Sequence, residues 1–213
     1  MQEPKWPLGQ GAGICIHDEA IPSKLCRKIV KYIAKRPHLS NPGRTVGGVE
    51  PDTKLSMDAH IAGDNALVQS SKEAEALGSM ERSLYDIYVE VLKEYFSNYP
   101  AMASEWRARL DTGYQYQRYE KGKGFYTSHI DGAPYLAGNG SDRVLASVMY
   151  LNTVEKGGGT YFDYFDFTCD AVEGRIVTFP ATFLHLHGGL VPESSDKSII
   201  STFVIVPHPD DHH

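Results

Sequence analysis

The residues best suited to chemistry in this chain of 213 lie in its second half. His129 and Asp131 are two residues apart, in the run Tyr126-Thr-Ser-His-Ile-Asp131. On an extended backbone such a pair points to one face, so an imidazole nitrogen and a carboxylate oxygen can converge on a single ion. His187 follows 56 residues after Asp131, and Lys197 ten residues after that. Two histidines and one carboxylate can hold a divalent iron from one side and leave the other coordination positions open. A His-x-Asp pair alone is incidental far more often than it is a metal site. It gains weight here from a further histidine on a separate strand-like stretch.

His185 competes with His187, since both read as parts of one strand facing the same way. Lys197 separates them. Gly188-Gly189 and Pro192 supply a tight turn after His187, and Lys197 then opens a neighbouring strand, deeper in the same barrel. That favours His187, and leaves His185 as a core or pocket-wall residue hydrogen-bonded to backbone. Lys197 precedes a largely apolar run, Ser198 to Val204. By itself it reads as an exposed strand-end lysine. A lysine pointing inward is costly unless an anion neutralises it, and a dicarboxylate cosubstrate would be that anion. Tyr150 and Tyr119 carry hydroxyls able to share the same carboxylate, although tyrosines in strands are common core residues.

These side chains must be positioned by strands, and the sequence supplies them. From Thr112 the apolar pattern takes a period of two. Strands are expected over 113–119, 125–130, 143–152, 160–162, 168–172, 175–179, 186–191 and 198–206, separated by glycine- and proline-rich turns. Upstream, Ile14 to Ile16 reads as a short edge strand. Leu25, Ile29 and Ile33 mark a helix opened by Pro22-Ser23 and ended by Pro37. The lysines and arginines on its other side read as a solvated face. Residues 40–60 form a long loop, or loop plus strand, and a candidate lid. A long helix is expected from Asp64 to about Tyr99, with Gly78-Ser79 as a point of interruption, and a further turn or two around Trp106. Helices followed by many short strands suggest an α+β chain, a jelly roll with N-terminal supporting helices. The expected organisation is a single unit over 1–213: helical support and candidate lid over 1–111, jelly-roll core over 112–206, and a frayed tail over 207–213.

Composition narrows the classes further. The chain is 41% hydrophobic and 23% charged, with a formal net charge of −6 and a pI near 5.8. That disfavours a nucleic-acid partner, whose phosphates need a basic footprint. Cys15, Cys26 and Cys169 are odd in number and lack metal spacing, so a reducing, cytoplasmic location is expected. The N-terminus has no basic start followed by an apolar run, and no run approaches membrane-span length.

Taken together, YQYQRYEKGKGFYTSHID, RVLASVMYLN, GGGTYF, EGRIVTFP and HLHGGLVPESSDK resemble, in order, the prolyl 4-hydroxylase-like branch of the 2-oxoglutarate- and iron(II)-dependent dioxygenases. The resemblance covers about residues 113–206. It implies a double-stranded β-helix in which His129, Asp131 and His187 match the iron ligands. Lys197 matches the residue gripping the distal carboxylate of 2-oxoglutarate, and Tyr119 and Tyr150 match positions that hydrogen-bond this cosubstrate. Ser201 occupies a place where a small hydroxyl residue assists. Asp131 is retained, unlike in the halogenating variant. The implied cofactors are iron(II), 2-oxoglutarate and O2, with ascorbate as reductant. The implied substrate is a prolyl residue in a peptide or protein, with Tyr135 and Trp106 as candidate wall residues. A free amino acid or small metabolite, or a non-catalytic jelly-roll module, are the alternatives.

Overall fold

The computed structural model describes residues 2–101, 112–132 and 141–207, with backbone alone at 141, 142 and 207. Two helices, α1 (Ser23–Ala34) and α2 (Ser71–Ser97), precede most of the strands. The strands are β1 (Cys15–His17), β2 (Asn41–Pro42), β3 (Lys54–Leu55), β4 (Met57–His60), β5 (Gln115–Tyr119) and β6 (Phe125–His129). They continue with β7 (Ser141–Tyr150), β8 (Thr160–Phe162), β9 (Phe167–Cys169), β10 (Ile176–Pro180), β11 (His187–Gly189) and β12 (Lys197–Pro207). They form a seven-stranded sheet in the order β1-β10-β7-β12-β5-β4-β2 and a five-stranded sheet in the order β3-β6-β11-β8-β9. Their pairings are antiparallel. This is the jelly roll with helical support.

The larger sheet is buried on both faces, and this explains the nearly unbroken apolar run of β7. Leu145 and Met149 face the helices, in a core with Leu77, Met80, Leu84 and Tyr88 of α2 and Ile29 and Ile33 of α1. Ala146, Val148 and Tyr150 face the smaller sheet, in a second core with Phe162, Val177, Phe179 and Ile199. Alternate residues of one strand serve the two cores. Each large apolar side chain so buried contributes about 1.5–3 kcal/mol, and α2 places Leu77, Met80, Leu84, Tyr88, Val91 and Tyr95 on its inner stripe.

Two expectations about α2 are corrected. The helix starts at Ser71 rather than Asp64. The Ser70 side chain accepts from the Glu73 backbone N–H at 3.3 Å, satisfying one of the orphan donors of the first turn and fixing the start. Nor does Gly78 interrupt the helix. It lies buried within the continuous helix, and a Cβ there would make only ordinary contacts, with Arg82 Nη1 at 3.5 Å and Gly63 Cα at 3.8 Å. The 40–60 segment is more ordered than a plain loop. It contributes β3 to one sheet and β4 to the other, and so ties them together. The strand expected over 186–191 is shorter: β11 covers His187–Gly189 and follows a 3-10 turn at residues 183–185. The helical turns expected around Trp106, and Tyr135, lie outside the described residues. Among the described residues no helix is long and apolar enough to cross a membrane.

Candidate metal centre

The two histidines that the sequence singled out are register partners. β6 and β11 pair antiparallel with His129 opposite His187, and the ring centroids are 4.4 Å apart. Asp131 lies just past the end of β6. Its Oδ1 is 3.4 Å from His129 Nε2 and its Oδ2 is 3.3 Å from His187 Nε2. One ligand atom from each of the three lies within 4.8 Å of the others.

Both rings are held in the tautomer a metal requires. His129 Nδ1–H donates to the Thr127 carbonyl at 2.9 Å, and His187 Nδ1–H donates to the His185 carbonyl at 2.9 Å. A carbonyl only accepts, so each Nε2 keeps its lone pair for an ion. Tyr126 stacks on His129 at 3.7 Å between centroids. Phe179 meets His187 edge-on at 4.7 Å. Burial alone would push the Asp131 carboxyl up. The neighbouring His187 and His129 rings and the Arg143 guanidinium outweigh it and hold the group at about 2. Burial pulls the His187 imidazole down, keeping it neutral, against the pull of Asp131. A carboxylate and two imidazoles, each with its Nε2 turned toward the others, form a donor set that fits iron(II).

The three groups line a cavity of about 280 Å³ between the sheets. At its closed end stands Lys197, 2% exposed. It is opposite Tyr119 in the register of β12 and β5, with its Nζ 4.4 Å over the Tyr119 ring and 3.3 Å from the Leu190 carbonyl. Among the described residues it forms no ion pair, and burial pulls its ammonium down to about 7. The Tyr119 hydroxyl donates to Gln117 Oε1 at 2.7 Å. The Tyr150 hydroxyl bonds the Thr160 hydroxyl at 2.6 Å and the Cys169 carbonyl at 3.2 Å. Thr160 itself lines the cavity, as does Ser201, which accepts from Gln117 Nε2 at 2.9 Å. Tyr150 thus stands one residue back from the cavity wall.

His185, the competing histidine, is 6% exposed and points elsewhere. Its Nε2 is 2.7 Å from the Ala12 carbonyl and its Nδ1 2.9 Å from the Thr182 hydroxyl. It stands in the turn before β11, not on the strand. The sequence reading missed a polar wall beside the cavity. Lys54 Nζ pairs with Asp58 Oδ2 at 2.7 Å, and Ser56 Oγ donates to Asp58 Oδ1 at 2.7 Å. Gln117 Nε2 donates to Gln115 Oε1 at 3.1 Å, and Gln115 Nε2 to Asp58 Oδ2 at 3.3 Å. The alternation Gln115, Gln117, Tyr119 is visible in the sequence, and placing Tyr119 in a pocket should have placed both glutamines there.

Residues 114–205 match the sequence model of the 2OG-Fe(II) oxygenase superfamily. No curated protein sequence matches the chain. Its fold is similar to that of a viral collagen prolyl hydroxylase from Paramecium bursaria Chlorella virus-1, at 17% identity and a TM-score of 0.63 over 93% of this chain and 99% of that one. A Trichoplax adhaerens prolyl hydroxylase gives 16% identity and a TM-score of 0.68 over 92% and 84%. A Pseudomonas putida prolyl-4-hydroxylase gives 15% and 0.64 over 91% and 92%. Over residues 114–205 the sequence is therefore that of a 2-oxoglutarate- and iron(II)-dependent dioxygenase. Its architecture is similar to that of these prolyl hydroxylases, and the matched family uses iron(II), 2-oxoglutarate and O2 as cofactors.

Proposed function

We propose that this dioxygenase hydroxylates a prolyl residue, at C4, in a peptide or protein substrate. The observation that carries the reading is the convergence of His129, Asp131 and His187 within 4.8 Å in a cavity whose closed end holds a buried lysine. The fold supports the choice of substrate. One of the similar structures is described as a collagen prolyl hydroxylase, and another as a prolyl hydroxylase holding a peptide fragment of hypoxia inducible factor.

Iron(II) with 2-oxoglutarate and O2 supplies the chemistry when bound: the oxo acid is decarboxylated to succinate and carbon dioxide, and one oxygen atom enters a C–H bond. The protein's part is to hold and exclude. His129 Nε2, His187 Nε2 and Asp131 are assigned to the metal, with the Thr127 and His185 carbonyls fixing both rings. Lys197 is assigned to the far carboxylate of 2-oxoglutarate, the anion that its burial calls for. Tyr119 positions that carboxylate from beneath the ammonium, and Tyr150 acts through the Thr160 hydroxyl. Val148, Ile199 and Phe203 line the same cavity and keep water from the reacting carbon.

The test is mass spectrometry of proline-containing peptides after incubation with the iron-loaded enzyme, 2-oxoglutarate and ascorbate. A gain of one oxygen atom on proline is the expected result. Succinate formation with every proline left unmodified would remove the prolyl assignment and leave the dioxygenase chemistry. A free amino acid or small metabolite would then be the substrate to seek.

A further inference from the structure

The charges around the cavity do not balance, and the imbalance is confined to its mouth. Four cationic side chains line it, Arg44, Lys54, Arg143 and Lys197, against the single carboxylate of Asp131 among the described side chains. Lys54 is already neutralised by Asp58 at 2.7 Å. With the cofactors bound, the dication, Asp131, the doubly negative 2-oxo acid and Lys197 cancel one another. Arg44 and Arg143 are what remains. Neither forms an ion pair among the described residues. The carboxylate in the Arg44 loop, Glu50, is held by the Thr45 hydroxyl at 2.5 Å.

Position separates these arginines from the cosubstrate. On β12 the residues Lys197, Ile199, Ser201 and Phe203 line the cavity in turn. Six residues of extended strand span roughly 20 Å, and a five-carbon dicarboxylate anchored at Lys197 covers only the inner part of that run. Arg143 stands at the outer end of that run, with its guanidinium 3.9 Å above the Phe203 ring. It is also on the metal's side of the mouth, with Nη1 3.5 Å from the Asp131 carbonyl. A cation stacked on an aromatic face retains N–H donors along its edge, and a guanidinium edge matches a carboxylate in a bidentate fashion. Arg44 is exposed and enters the lining from the opposite sheet connection, between β2 and β3.

We propose that the hydroxylated substrate presents a carboxylate close to its reacting carbon, docked on Arg143 and Arg44 at the cavity mouth. The inference rests on the dioxygenase reading of the site and adds the substrate's charge to it. The carboxylate has two sources: an acidic side chain flanking the target in a peptide, or the free α-carboxylate of a chain end or amino acid. This gives an acidic chain of net charge −6 a local positive entrance that attracts an anion its overall charge would repel.

The test measures binding to the full chain loaded with manganese(II) and 2-oxoglutarate in the absence of oxygen. One probe set is proline peptides blocked at both ends, with Glu, Gln or Lys at the flanking positions. A second set pairs free carboxyl ends, proline itself included, with their amides. The expected result is about tenfold tighter binding of the acid than of its amide counterpart at low ionic strength, narrowing as salt is raised. A preference within the blocked set assigns the side-chain source, and one confined to the second set assigns the α-carboxylate. Arg44→Glu, an exposed change that leaves the core intact, is expected to abolish the preference or turn it toward Lys. Arg143→Gln is expected to do the same. Acids bound no better than amides in both sets, including no binding of either, would overturn the proposal. Binding of 2-oxoglutarate is read in the same samples. Its absence would overturn the enzyme reading as well, whereas its presence with no acid preference would overturn this inference alone.

Discussion

Lys197 is the side chain whose behaviour is most sharply predicted. Burial pulls its ammonium from the ordinary lysine value to about 7, and a bound carboxylate would restore the charge. Binding of 2-oxoglutarate must therefore take up a proton whenever the free protein starts above that value. The affinity is expected to hold below pH 7 and to fall roughly tenfold per pH unit above it, as measured by calorimetry in buffers of differing ionisation heat. Without ligand the sign for stability is opposite to that of a paired group. Between about 7 and the ordinary lysine value the unfolded chain binds the proton and the fold does not, so stability rises with pH through that window. The variant Lys197→Met should lose both dependences. It should weaken 2-oxoglutarate by about 2–5 kcal/mol while unfolding at no lower temperature than the parent at pH 6. A variant that binds the cosubstrate normally would show that the lysine has another purpose.

At the scale of elements, the metal centre depends on a close approach that glycine alone permits. An ideal Cβ on Gly132 would stand 2.0 Å from the Ala181 carbonyl oxygen and 2.8 Å from that of Arg143. Both obstacles are backbone, so Gly132→Ala must push the 130–132 segment off the ends of β7 and β10, carrying Asp131 with it. Metal affinity is expected to drop about 10- to 100-fold, read by metal titration, with far-ultraviolet circular dichroism unchanged. Unaltered affinity would mean that Asp131 is held by something other than this clasp. The same scale shows what the sequence made legible. The period-two alternation of β5 and the nearly continuous apolar runs of β7 and β12, bounded by glycine and proline turns, are readable because strands with unlike faces alternate and strands buried on both faces do not. The His129, Asp131 and His187 constellation was readable because a strand pair fixes which side chains share a face. The start of α2 was misread because the apolar residue Leu67 extended the stripe past the Ser70 cap. The Lys54–Asp58 pair could not be read, because it depends on β3 and β4 joining different sheets, which is a fact of tertiary packing.

For the molecule as a whole, the larger sheet is shared by both cores. The helices brace one face while the other forms the cavity, so stabilising the cavity should stabilise the whole. A ligand that binds only the folded state at one hundred times its dissociation constant adds about 2.7 kcal/mol. For a chain of this size that corresponds to a rise in melting temperature of roughly 5–10 °C. Manganese(II) and 2-oxoglutarate together are expected to raise a single unfolding transition, whereas two transitions with only one displaced would show that helices and barrel unfold separately. The chain's charge also acts at this scale: the net value is −6, yet the charged side chains that line the cavity are mainly cations, so raised ionic strength should weaken capture of an anionic cosubstrate.

The most direct test of the central claim is the formation of succinate from 2-oxoglutarate under air with iron(II) and ascorbate, by the parent chain and by His187→Ala. The account predicts measurable succinate from the parent even without a second substrate, and none above the iron blank from a variant that remains folded by circular dichroism. Equal rates from the two proteins, or none from the parent across a panel of proline peptides, would contradict it.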